Sequence, residues 1–146
     1  MKFALLTLLC IVPWKPNFQL MEILDQQRFI EEEGLERVYL SCYLPTGNRT
    51  ADGTVPYEGI CSCNREHMGQ DCIMYDARTL EAVARWECRD IGGNSLLQQG
   101  KAIDVYRDSY ERCVALKQEY GNYVYIKWID RSEGKDEETV SGNSVE

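Results

Sequence analysis

Six short segments rich in β-branched and aromatic residues follow one another along the chain, and turns rich in glycine and polar residues separate them. Short strands with turn signals between them are typical of an all-β sandwich or barrel. Closure into a barrel also removes the unpaired strand edges that promote aggregation. The sequence therefore predicts a small β-barrel. Its six predicted strands are 38–44, 59–63, 71–75, 82–88, 102–106 and 123–129.

One helix is predicted between the last two strands. Tyr110, Cys113, Val114 and Leu116 recur at helical spacing, and Gly121 provides a C-terminal stop. A short helix or linker is predicted over 21–37, where apolar side chains alternate with acidic ones. The predicted fold class is mainly β, with one helix before the last strand and a short N-terminal helix.

Length and composition predict one domain followed by a tail, and the net charge restricts the class of partner. Its 146 residues are appropriate for one domain, which we place at 38–130. The net charge of −8 disfavours a nucleic-acid partner, because such binding needs concentrated positive charge. Residues 131–146 contain no aromatic side chain and are rich in Ser, Gly, Asp and Glu. That composition predicts a disordered acidic tail.

The N-terminal segment 1–20 has two interpretations. Its apolar run, 3–12, is too short to cross about 30 Å of hydrocarbon as a helix, so we expect no stable membrane span. The run fits the core of a signal peptide, which would make the protein secreted or associated with the cell envelope. Alternatively it is an apolar N-terminal segment, or translation starts at Met21, and the protein is then cytoplasmic or associated with a virion.

The chain contains seven cysteines, and removal of a leader containing Cys10 would leave six. Six cysteines permit three disulfides but do not require them, and the alternative is that most are small buried side chains. Cys61 and Cys63 share one face of a predicted strand, with His67 nearby. Structural zinc sites instead use pairs of cysteines in turns with two to four residues between them, whereas only one residue separates Cys61 from Cys63. We therefore predict no metal and no cofactor.

Two aspartates stand where charge is unexpected. Asp90 ends a predicted strand and is followed closely by Gly92 and Gly93, whose backbone freedom allows a tight turn. Asp104 interrupts an apolar strand and must face away from its two neighbours. If the two carboxylates converge, one can retain a proton near neutral pH and act as a general acid. The alternative is structural: Asp90 caps a turn, and Asp104 pairs with an arginine.

Five motifs resemble those of the three-aspartate (3D) domain. They are T-A-D-G-T at 50–54, Y-E-G-I at 57–60, D-I-G-G at 90–93, G-K-A-I-D-V-Y at 100–106 and V-Y-I-K-W at 124–128. The resemblance covers about residues 40–130. It implies a double-psi β-barrel related to the catalytic domain of membrane-bound lytic transglycosylase A.

The resemblance also implies an activity on peptidoglycan glycan strands. Enzymes of this type cleave between N-acetylmuramic acid and N-acetylglucosamine without water and leave a 1,6-anhydro sugar. Asp104 matches the catalytic acid/base, and Asp90 matches the aspartate that supports it. The substrate-binding residues implied are Thr50, Thr54, Tyr106, Gly92 and Gly93.

One departure from the family pattern concerns the third aspartate. The stretch 60–66, where it is expected, reads I-C-S-C-N-R-E and offers only Glu66 as a carboxylate. The alternative function is therefore a catalytically inactive barrel that binds glycan or another protein, as a phage could encode.

Overall fold

The computed structural model describes residues 18–131. Its helices are α1 (Phe18–Glu33), the short α2 (Ser95–Gln98) and α3 (Tyr110–Tyr120), with a 3-10 turn at Arg65–His67. Its strands are β1 (Glu36–Tyr43), β2 (Ile60–Cys63), β3 (Asp71–Tyr75), β4 (Ala82–Ile91), β5 (Ala102–Tyr106) and β6 (Tyr123–Ile129). The predicted fold class is confirmed: the chain is mainly β, with a six-stranded barrel, α3 before the last strand and α1 in front of the first.

The six strands close into one barrel in the order β1-β5-β2-β4-β3-β6, with β6 returning to β1. Two of the pairings, β1 with β5 and β2 with β4, are parallel, and the other four are antiparallel. This order puts the short strand β2 between β4 and β5. Asp90 lies near the end of β4, and Asp104 lies at the middle of β5.

Alternating side chains of the strands fill the barrel. Leu40, Ile103, Val105, Val124 and Ile126 are at most 1% exposed, so each strand face that carries them points inward. Full burial of such a branched side chain contributes about 1.5–3 kcal/mol. The residues between them, including Asp104, consequently lie on the outer face of the barrel.

Four cysteines belong to this core: Cys61, Cys63, Cys72 and Cys88. Cys63 and Cys88 form a disulfide that joins β2 to β4, and their Cα atoms are 6.2 Å apart. Cys61 and Cys72 are buried thiols, as expected of small apolar side chains. Of the three disulfides that the cysteine count permits, residues 18–131 contain one. Cys10 lies outside the described residues.

An ion pair links each end of the described chain to the barrel. Helix α1 has no buried residue and is linked to β6 by an ion pair between Glu33 and Lys127 at 2.9 Å. At the other end, Arg131 forms an ion pair with the buried Asp71 at 2.9 Å. The possible leader falls mainly, and the acidic tail almost entirely, outside the described residues.

Candidate functional site

Asp104 lies at the middle of β5 on the outer face of the barrel. Its carboxylate is half-buried, and its neighbours along β5 point into the core. Ser41 is the register partner of Asp104 in the parallel strand β1. The Ser41 hydroxyl is 3.0 Å from Asp104 Oδ1 and donates a hydrogen bond to it. Strand pairing thus fixes both the position of the carboxylate and one of its partners.

Asp90 is brought to the same face by a bulge in β4. Cys61 pairs with Cys88, but the next residue of β2, Ser62, pairs with Asp90, so Arg89 is an extra residue in β4. Ser62 also pairs with Asp104 on its other side. Paired residues of neighbouring strands project to the same face. Asp90 and Asp104 therefore flank Ser62, with Cα atoms about 10 Å apart across two strand spacings.

The surroundings of Asp104 favour its protonated form. Burial is the main cause and raises the pKa of the carboxyl group, because the charged form loses water. The negative charge of Asp90 raises the pKa further, while the Ser41 hydrogen bond and Lys117 oppose the rise. The net direction is upward. A carboxyl group with a raised pKa is suited to donate a proton near neutral pH.

Tyr43 also belongs to this group, although no sequence motif selects it. Its ring packs edge-to-face on Tyr106, with centroids 5.4 Å apart. Its hydroxyl is buried beside Ser62 and forms no well-aligned hydrogen bond within the described chain. Burial, followed by the charge of Asp90, raises the pKa of this phenol, and Asp104 adds to the rise. Tyr43 therefore supplies a neutral hydroxyl beside the two carboxylates.

The loop 50–54 is held together by its own side chains. Thr50 is buried, and its hydroxyl is within hydrogen-bonding distance of Asp52 Oδ1 at 2.7 Å and the Thr54 carbonyl at 3.1 Å. The Thr54 amide donates to the same Asp52 oxygen at 3.0 Å. Burial alone would raise the pKa of Asp52, but these hydrogen bonds and Arg89 outweigh it and hold the pKa well below its usual range. The structure thus places the Thr50 side chain inside the loop.

Asp90 anchors this loop to the barrel. Its Oδ1 accepts hydrogen bonds from the backbone amides of Ala51 and Ile91, both at 2.9 Å. An ion pair between Arg89 and Asp52, at 3.1 Å, adds a second connection. Asp90 therefore combines the turn-capping role, one of the alternatives drawn from the sequence, with an electrostatic effect on Asp104.

The other predicted substrate-binding residues lie around this centre. Tyr106 is buried and borders a cavity of about 330 Å³ under the loop that follows β1. Gly92 packs against Leu97, and a Cβ at Gly92 would lie 2.1 Å from Leu97 Cδ1. Gly93 is exposed and faces open space. Gly92 therefore allows close packing of α2, while Gly93 is available at the surface.

The segment expected to supply a third aspartate contributes none. All of β2 is buried, and Ser62 occupies the position between the two aspartates. Asn64 then accepts a hydrogen bond from the His67 amide at the start of the 3-10 turn. Glu66, the remaining candidate, is exposed on that turn. The site as described contains two carboxylates, two serines and one tyrosine.

Within 18–131, no cluster of three or more His, Cys, Asp or Glu side chains is arranged to hold a metal ion. No helix in that range is both long and apolar enough to span a bilayer.

No family model matches the sequence, and no curated protein is significantly similar to it.

Proposed function

We propose that this protein is a divergent barrel of the three-aspartate type that cleaves glycan strands of bacterial peptidoglycan as a lytic transglycosylase. The observation that carries the proposal is the environment of Asp104. Its carboxyl group is half-buried on the outer face of β5, is hydrogen-bonded to Ser41, and has a pKa raised by burial and by Asp90. These are the properties of an acid that must donate a proton near neutral pH.

One carboxyl group serves both halves of the proposed reaction. Protonated Asp104 donates its proton to the glycosidic oxygen as the bond from that oxygen to C1 of the muramic acid breaks. The resulting carboxylate then accepts the proton of the C6 hydroxyl, whose oxygen forms the new bond to C1. The products are a free N-acetylglucosamine 4-hydroxyl and a 1,6-anhydro sugar, no water is consumed, and Asp104 ends protonated again.

The neighbouring residues assist this reaction in different ways. The Ser41 hydroxyl orients the Asp104 carboxyl group. Asp90 contributes negative charge, which favours positive charge developing at C1, while its Oδ1 holds the loop. The Tyr43 hydroxyl is buried and stays neutral, so it adds no further negative charge beside the two carboxylates.

The proposed location is outside the cytoplasm, at the cell envelope. The disulfide between Cys63 and Cys88 supports this, because disulfides persist in oxidising compartments and are rare in the cytosol. The apolar run 3–12 would serve as the export signal.

The test is digestion of purified sacculi by the full-length protein, with soluble products identified by mass spectrometry. Wild type should release 1,6-anhydromuropeptides, and Asp104→Asn should lower the rate by at least about 100-fold, within the usual range for loss of a general acid or base. Asp108→Asn is the matched control, because that aspartate is exposed and lies outside the site. Equal product release by Asp104→Asn and wild type would refute the role of Asp104.

A second function is favoured by a specific observation, the absence of a third carboxylate from β2. A barrel with this defect can bind glycan without cleaving it. Co-sedimentation with sacculi then distinguishes the two functions. Binding with no soluble product from wild type would support the non-catalytic barrel, and release of anhydromuropeptides would exclude it.

A further inference from the structure

A groove of about 530 Å³ lies between β1 and α3, beside the Ser41–Asp104 pair. Ser41 forms part of its wall, so the groove begins where the carboxylate site ends. Apolar atoms dominate its surface. The groove also contains two cysteines, Cys42 from β1 and Cys113 from α3, and both are half-buried thiols.

These two thiols face each other across the groove. Lys117, one helical turn after Cys113, donates a hydrogen bond from Nζ to the backbone carbonyl of Leu40, which lies two residues before Cys42 in β1. Cys113 therefore lies over Cys42, and both side chains line the groove. Burial, followed by the neighbouring Cys113 thiol, raises the pKa of Cys42 to about 12. Two cysteines on different elements that face each other are close to the arrangement that a disulfide requires.

The other described thiols, Cys61 and Cys72, are not placed to form a disulfide with Cys42. Cys61 and Cys72 lie on β2 and β3, and β4 runs between those strands. Cys42 and Cys61 both pair with Val105 of β5, so two strand spacings put their Cα atoms about 10 Å apart, beyond the roughly 7 Å that a disulfide can bridge. Both are fully buried in the core, whereas the groove opens to solvent.

We propose that Cys42 and Cys113 are an oxidisable pair that forms a second disulfide and fastens α3 to β1 at the edge of the carboxylate site. This inference does not depend on the proposed glycan cleavage. The oxidant is a small disulfide of the glutathione class. Nothing in the arrangement requires an enzyme to align the two sulfurs.

The exchange proceeds in two steps. The Cys113 thiolate attacks one sulfur of the oxidant and releases one small thiol, which leaves a mixed disulfide on Cys113. Cys42 then loses its proton and attacks the Cys113 sulfur, so that the second small thiol leaves. Two protein thiols are oxidised, one disulfide is reduced, and the two protons are carried by the released thiols. The raised pKa of Cys42 makes it the slower nucleophile, which assigns the first attack to Cys113.

The experiment uses the full-length protein incubated with oxidised glutathione. Exchange is then quenched with acid, and free thiols are alkylated in denaturant. Peptide mapping by mass spectrometry should find the peptides containing Cys42 and Cys113 linked to each other. The melting temperature of the oxidised protein should also rise by about 5–10 °C, because the bond closes a long loop.

Two variants make the result specific. Cys113→Ser should show neither the linked peptide nor the rise in melting temperature, while the bond between Cys63 and Cys88 persists. Cys10→Ser should behave as wild type does. The proposal is overturned if Cys42 and Cys113 both remain alkylatable under conditions that preserve the Cys63–Cys88 bond. It is equally overturned if Cys42 pairs with another cysteine.

Discussion

Replacement of Asp90 by alanine tests whether this residue fastens the 50–54 loop to the barrel. In the wild type, Asp90 Oδ1 accepts hydrogen bonds from the Ala51 and Ile91 amides, both at 2.9 Å. Alanine removes the acceptor from both amides. The Arg89–Asp52 ion pair remains and becomes the principal side-chain connection between the loop and β4.

The magnitude follows from the exposure of the two amides. A hydrogen bond to a charged acceptor contributes about 1.5–3 kcal/mol, and the partly buried Ile91 amide belongs to that class. The Ala51 amide is exposed and can bind water instead, so its loss costs about 0.5–1 kcal/mol. Asp90→Ala should therefore lower the free energy of unfolding by about 2–4 kcal/mol.

The assay is urea unfolding of both proteins, combined with hydrogen exchange of the two amides. Asp90→Asn is the matched control, because its amide oxygen still accepts both hydrogen bonds; it should lose about 1 kcal/mol. A loss below about 0.5 kcal/mol in Asp90→Ala, with unchanged exchange at Ala51, would refute the anchoring argument.

Three further predictions concern packing and pH. Gly92→Ala should cost about 1–3 kcal/mol in unfolding free energy, because its Cβ would collide with the buried Leu97; calorimetry that finds the variant as stable as wild type would contradict this. The pKa of Asp104 is raised in the folded protein, so the folded state binds the carboxyl proton more tightly than the unfolded state does. Ionisation of Asp104 therefore lowers the free energy of unfolding as the pH rises from its unfolded-state pKa through its folded-state pKa. Asp104→Asn should therefore gain stability relative to wild type as the pH rises above about 4 in urea titrations, and a difference that does not change with pH would be inconsistent with burial of the charge. The pKa of Asp76 is lowered to about 2, mainly by its hydrogen bonds from Arg78. Ionised Asp76 should therefore stabilise the fold by about 1–2 kcal/mol above pH 4, after allowance for the exposed arginine. This stabilisation should be lost as the pH falls toward 2. Asp76→Asn should flatten that acid limb, and an unchanged limb would contradict the assignment.

Local patterns were sufficient to predict most of the barrel. Strands β3, β5 and β6 have the predicted bounds, because each is a compact β-prone run that ends at turn residues. Strand β4 extends beyond the predicted end at Cys88 to Ile91, since the bulge at Arg89 lets pairing with β2 continue. Helix α2 has four residues, which is too few for a helical period to be visible in the sequence.

The residues of the candidate site were harder to predict than the strands, because contacts between distant strands bring them together. Asp104 was identifiable because it interrupts an apolar strand. Ser41 and Tyr43 were not identifiable in this way. They alternate with inward residues of β1, and only the parallel register of β1 with β5 brings them close to Asp104. The register between strands about 60 residues apart is set by the whole barrel, so it cannot be predicted from a local sequence pattern.

Digestion of sacculi in water enriched in oxygen-18 follows the fate of the C1–oxygen bond and so distinguishes internal transfer from hydrolysis. If Asp104 catalyses an internal transfer to the C6 hydroxyl, the products should end in 1,6-anhydro sugars with no heavy oxygen, and Asp104→Asn should yield almost none of them. Reducing ends that carry oxygen-18 would show hydrolysis by water and contradict the account, as would the absence of any soluble product from the wild-type protein.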